Sequence, residues 1–123
     1  MALSSEAKIQ QMCWQWFNNT YCLKHHNPQC LMFSVPNEGK NAIEQMRKIQ
    51  IGLMSGVSDT IIVMPNRVVF CEFKDDKGKQ SPQQIEFQTK VENLGFEYWL
   101  VRSLDEFKLC LQATKGIIYP IEK

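Results

Sequence analysis

Apolar residues recur at Ile9, Met12, Cys13, Trp16 and Phe17, three and four positions apart, and predict an amphipathic helix over about residues 5 to 20. Ser4 or Ser5 can cap it by accepting from an unpaired first-turn N–H. The polar stretch YCLKHHNPQC contains Pro28 and predicts a loop, and LMFSV predicts a strand closed by Pro36. NEGKNAIEQMRKIQIG predicts a second helix, polar over most of its surface, before Gly52, Ser55 and Gly56 break the chain. The period then shortens. GVSDTIIVMPNRVVFCEFK alternates on both sides of Pro65-Asn66, as a β-hairpin does. DDKGKQ is a charged turn, and SPQQIEFQTKVENLG is a helix with Ser81 as cap, Pro82 at its first position and Gly95 past its end. FEYWLV predicts a further strand, and SLDEFKLCLQAT a last helix with Ser103 and Glu106 spaced as a capping box. The order α-β-α-β-β-α-β-α predicts an α/β fold, a mixed sheet with helices packed on it.

Composition narrows the class without naming a function. A chain of 123 residues has room for one core, and at 44% apolar and 22% charged it reads as an ordinary globular domain. No apolar run approaches a membrane span, and no basic-then-apolar leader opens the chain, so a cytoplasmic address is expected. Five cysteines cannot all pair within one chain and are expected as thiols. A net charge of +1 neither demands nor excludes nucleic acid, because a local basic patch is what binds it.

The hairpin carries acids where its strands end. Val68, Phe70, Glu72 and Lys74 share one face of the second strand, and Val69, Cys71 and Phe73 share the other. Strand rise puts Glu72 and Lys74 about 7 Å apart at Cα. If Pro65 and Asn66 form a two-residue loop, Met64 faces Arg67, and Asp59 falls opposite Glu72 on the same face. Proline cannot take the positive φ that the commonest such turns need first. A three-residue loop would shift the register and turn Asp59 to the other face. Two facing carboxylates repel, and a divalent cation is a good compensator, since Mg²⁺ prefers oxygen ligands from one or two carboxylates. Lys74 adds a positive charge beside them, a set suited to metal-assisted phosphodiester hydrolysis. Solvated charges at strand ends are the alternative for any one of the three.

Asp59 followed by Glu72-Phe73-Lys74 resembles the D…(D/E)-x-K signature of the PD-(D/E)XK nuclease superfamily. The fuller pattern resembles its VRR-NUC family (virus-type replication-repair nucleases): Gly56-Val57-Ser58-Asp59 entering the first core strand, the acid-x-Lys ending the second, then Gly78, Ser81, Gln84 and Phe87 leading into a helix. The likeness runs from about Glu6 to Val101. Ser58 stands where the superfamily has proline, a change the family tolerates. The resemblance implies a restriction-endonuclease-like fold with Asp59, Glu72 and the Phe73 carbonyl binding Mg²⁺ or Mn²⁺. Lys74 would orient or deprotonate the attacking water. Glu6, on the first helix, would point into the site as a further metal ligand, and Gln84 would sit at its edge. Asn37 and Lys40, and the loop lysines Lys77 and Lys79, are candidate DNA contacts. The resemblance further implies a homodimer, often phage-encoded, that cuts branched DNA such as four-way junctions. A binding module that keeps the fold without cutting is the rival reading.

Both helix residues have local explanations as well. An acid in a first turn favours the helix dipole, which accounts for Glu6 alone. Ser81 and Gln84 are also spaced as a capping box, although Gln84, Phe87, Val91 and Leu94 form one stripe that would carry the amide to the core's edge. Cys22, His25, His26 and Cys30 fall in one loop, and their types suit zinc, but the spacing matches no standard zinc knuckle. Trp14, Trp16 and Trp99 are expected in the core or an interface.

Overall fold

The structure, a computed structural model, describes residues 2–36 and 41–113. The elements are α1 (Ser5–Tyr21), β1 (Leu31–Ser34), α2 (Ala42–Gln50), β2 (Thr60–Met64), β3 (Arg67–Phe73), α3 (Pro82–Asn93), β4 (Glu97–Val101) and α4 (Leu104–Ala113), in the expected order. The strands lie side by side as β1-β2-β3-β4. The first three are antiparallel, and β4 runs parallel to β3, so α3 makes the crossover that a parallel pair requires.

The hairpin register is the one a two-residue loop sets, with Met64 opposite Arg67 and Thr60 opposite Cys71. Proline fits because the turn needs a positive φ only at its second central residue, and Asn66 supplies it at 58°. A type II turn has that demand, and a ring-fixed negative φ suits its first position.

Each sheet face has its own cover. Met32, Ile62, Val69, Cys71, Phe73, Trp99 and Val101 pack on Cys13 and Phe17 of α1 and Phe107 and Leu111 of α4. Phe107 meets Trp16, Phe17 and Trp99 edge-on with ring centroids 6.1, 6.1 and 5.9 Å away. Such pairs add about 0.5–1.5 kcal/mol each beyond the area they bury. On the opposite face α3 lays Phe87 against Phe70 and Tyr98. That cover stops short of the β1 edge, where Leu31 and Phe33 are exposed. Ile43, Met46 and Ile49 of α2 are exposed too, an apolar stripe on a helix read from sequence as mostly polar. Trp99 is buried, Trp16 packs at the rim of the core, and Trp14 is partly exposed with its Nε1 donating to the Met32 carbonyl. Among the described residues no helix is long and apolar enough to cross a membrane.

Candidate active site

The site forms where β2 begins and β3 ends. Continuing the hairpin register by one residue sets Asp59 against Glu72, close enough that the Asp59 charge raises the Glu72 carboxyl. An antiparallel ladder would next join the Phe73 amide to Ser58. That amide donates instead to Asp59 Oδ2, at 2.7 Å, which fixes the carboxylate at the strand mouth. Ser58 is buried, and its hydroxyl is satisfied by the Thr60 carbonyl at 3.1 Å.

Glu72 is 1% exposed. Its Oε2 accepts from Gln84 Nε2 at 2.8 Å and lies 3.7 Å from Lys74 Nζ. Its Oε1 is buried with no hydrogen-bond partner among the described residues. Burial first, then the neighbouring Asp59 charge, push the Glu72 carboxyl up to about 8, with Lys74 opposing. Burial also raises Asp59, against the Phe73 amide and Lys74. Two acids that resist ionising together, one with an orphaned buried oxygen, make a site that a cation would relieve.

Gln84 does both things its spacing allowed. Its Oε1 accepts from the Ser81 amide at 2.8 Å to close the capping box, which leaves Nε2 for Glu72. The stripe behind it is shorter than expected. Val91 is buried, but Leu94 is exposed because it is the C-cap, past the last helical turn.

Glu6 also reaches the site. Its charge raises both Asp59 and Glu72, and a Cβ placed on Gly78 would lie 2.7 Å from Glu6 Oε2 and 3.2 Å from Lys74 Cδ. Ser4 caps α1, accepting from the Ala7 amide, and so places Glu6 in the first turn. Among the described residues no group of three or more His, Cys, Asp and Glu side chains is arranged to hold a metal. Lys77 and Lys79 are exposed on the loop after β3, while Asn37 and Lys40 lie outside the described residues. In the Cys22–Cys30 loop, His26 Nδ1 accepts from the Leu23 amide at 2.8 Å. Burial and the adjacent Cys30 push the Cys22 thiol up to about 11.

The sequence shows a charged turn at residues 75–80 but gives no role to Asp75 or Arg102. Asp75 Oδ1 accepts from the Gly78 and Lys77 amides at 2.7 and 3.1 Å, and Oδ2 from Ser5 Oγ at 2.6 Å. Those bonds, Ser5 foremost, hold its carboxyl below the usual range. The acid-to-glycine spacing of DDKG was the available signal; Arg102, just past a strand, offered none.

Gly56 has a reason to be glycine that spacing could not reveal. Its φ is +82°, and a Cβ there would lie 2.2 Å from the Gln83 carbonyl oxygen and 2.9 Å from the Gln84 amide nitrogen. Gly56→Ala is expected to cost about 2–4 kcal/mol and to push the start of α3, with Gln84, out of the site. Gly52 has φ +112° with nothing within 4 Å of a Cβ, so Gly52→Ala measures backbone strain alone. Urea unfolding of both variants checks this; equal costs would refute the contact argument.

No protein-family model and no curated protein matches the sequence. Solved structures do. One, described as a VRR_NUC domain protein, superposes with a TM-score of 0.69 at 17% identity, covering 94% of this chain and 92% of the other. A second, described as a VRR_NUC domain, gives 0.62 at 16% identity over 90% of this chain and 98% of its own. The mixed sheet, its flanking helices and the hairpin that ends in Asp59 and Glu72 thus have the restriction-endonuclease-like α/β fold of the VRR_NUC domains.

Proposed function

We propose that this chain is a single-domain, metal-dependent DNA endonuclease that hydrolyses phosphodiester bonds. What carries the reading is Glu72: a buried carboxylate, pressed against Asp59, with one oxygen unpartnered in the mouth of the sheet. Asp59 and Glu72 suit Mg²⁺ or Mn²⁺, which take oxygen ligands and keep several waters. The Phe73 carbonyl is the third ligand that the family resemblance implies. A cation bound there would acidify a water and stabilise charge on the scissile phosphate.

The protein's own groups do the rest. Gln84 fixes the Glu72 carboxylate by one bond and its own helix by another. Lys74, with its side chain 11% exposed beside Glu72, directs its ammonium at incoming water or phosphate and offsets negative charge as the bond breaks. Glu6 adds a negative charge beside Gly78 and the Lys74 stem, where it can accept a proton from that water. Lys77 and Lys79 project from the rim and suit backbone phosphates.

The substrate reading is branched DNA, cut by a homodimer in the cytoplasm. A two-fold dimer sets two sites against a two-fold junction. The exposed stripe of Ile43, Met46 and Ile49 and the open β1 edge with Leu31 and Phe33 supply apolar surface for such a pairing.

The test is incubation of purified protein with single-stranded, duplex and four-way-junction DNA under Mg²⁺, Mn²⁺ or EDTA, beside Asp59→Asn and Lys74→Ala. Cutting under either metal, absent in EDTA and in both variants, is expected, with the junction cut fastest. Junction binding without cutting under either metal would hand the protein to the binding-module reading.

A further inference from the structure

We infer that Arg102 is a positioning residue, holding the 75–78 turn against which Glu6 and Lys74 are set. The inference rests on the nuclease reading for its catalytic consequence and on geometry for the brace itself. The Lys74 amide donates to the Val101 carbonyl at 3.1 Å, so β3 and β4 end together and Arg102 begins beside Lys74. From there its Nη1 donates to the Asp75 carbonyl and, at 2.9 Å, to the Gly78 carbonyl. One cationic nitrogen therefore ties both ends of a four-residue turn, with bonds stronger than neutral ones.

Inside the turn, the Asp75 carboxylate takes the Lys77 and Gly78 amides, and outside it takes the Ser5 hydroxyl. The turn is thus pinned to β4 through Arg102 and to the start of α1 through Ser5. Glu6, the next residue of α1, and the Lys74 stem both lie against Gly78, with Glu6 Oε2 2.7 Å and Lys74 Cδ 3.2 Å from where a Cβ there would sit. Among the described residues, Arg102 makes no hydrogen bond to Asp59 or Glu72; its backbone amide donates to Glu106 Oε1 at 2.7 Å, which also takes that oxygen away from the capping box its spacing predicted. Site groups must be held to within about half an ångström to work. A turn in contact with two of them, closed by a charge, meets that need, whereas an ordinary exposed turn needs no such clamp.

The experiment measures Mg²⁺-dependent cutting of junction DNA by Arg102→Ala, Arg102→Lys, Glu6→Gln and the Glu6→Gln/Arg102→Ala double variant, with amide exchange on the same proteins. Arg102→Ala is expected to lower kcat about 10–100-fold with KM within about threefold, and Arg102→Lys to recover part of it. In the Glu6→Gln background the same change is expected to cost threefold or less, because the brace then has less to position. Exchange at Lys77 and Gly78 is expected to quicken about tenfold while the β3 amides hold. Equal losses in both backgrounds, a loss confined to KM, or a Glu6→Gln with unchanged kcat would overturn the inference. If the parent protein cuts nothing, the nuclease reading fails separately. Exchange then decides the brace, and unchanged rates at Lys77 and Gly78 overturn it.

Discussion

Glu72→Gln is expected to abolish metal-dependent cutting, about a thousandfold or more, while making the metal-free protein more stable at alkaline pH. The two effects have one cause. Glu72 sits almost wholly buried against Asp59, and its carboxyl is pushed from an ordinary 4.5 up to about 8. An acid whose pKa is raised on folding carries no penalty below its unfolded pKa. Stability is lost as pH climbs from there through the folded value, because the unfolded chain gives up its proton more readily. Glutamine keeps the size and can still accept from Gln84, but has no charge to bury. At about 1.4 kcal/mol per pKa unit, the variant gains on the order of a few kcal/mol at pH 8.5 and little at pH 5. Losing an oxyanion that would hold the metal costs about 4 kcal/mol of transition-state stabilisation if the rate falls a thousandfold. Urea unfolding in EDTA at both pH values, beside a cleavage assay, reads both numbers. A variant less stable than the parent at pH 8.5 would show that Glu72 is a structural acid, held for its bonds to Gln84 and Lys74.

Sequence reached this site because its decisive contacts follow from period and register. Alternation set which hairpin residues share a face, but Asp59 faces Glu72 only on a two-residue loop, and Pro65 left that register open. Asn66, able to take a positive φ, resolves it. Gln84 was legible as a cap and as a site residue, and the two readings exclude each other only if the amide is treated as one group. Its oxygen and nitrogen serve different partners. What stayed hidden spans the chain. Arg102 meets the 75–78 turn across 24 to 27 residues, Ser5 meets Asp75 across 70, and no periodicity encodes such distances. The close approach of Gly56 to α3 is hidden for the same reason. α2 shows the opposite failure: its Ile43, Met46 and Ile49 were in plain view at helical spacing, but flanking Asn, Glu, Arg and Lys drew attention to the polar face.

Mg²⁺ is expected to raise the melting temperature by about 10 °C at pH 8.5 and by about 1–2 °C at pH 6, at one fixed concentration. A ligating carboxylate must lose its proton, so metal and proton compete for Glu72. Below a carboxyl poised at about 8, apparent metal affinity falls roughly tenfold per pH unit, near a hundredfold by pH 6. A concentration of about a hundred times Kd at the higher pH contributes about 2.7 kcal/mol; at the lower pH it is close to Kd and contributes about 0.4. For a domain of this size each kcal/mol moves the midpoint by about 3–5 °C. The direction is diagnostic, since an ion gathered by carboxylates of ordinary acidity would show almost no change between these pH values. Glu72→Gln should remove the shift at both, whereas Lys74→Ala should leave it intact, because Lys74 stands beside the carboxylates without being a ligand. Thermal scans of the three proteins with and without Mg²⁺ need no DNA and no turnover, so they locate the metal independently of whether any substrate is cut. A shift that survives in Glu72→Gln would place the ion elsewhere, and the buried, unpartnered Oε1 would then need another reason to exist.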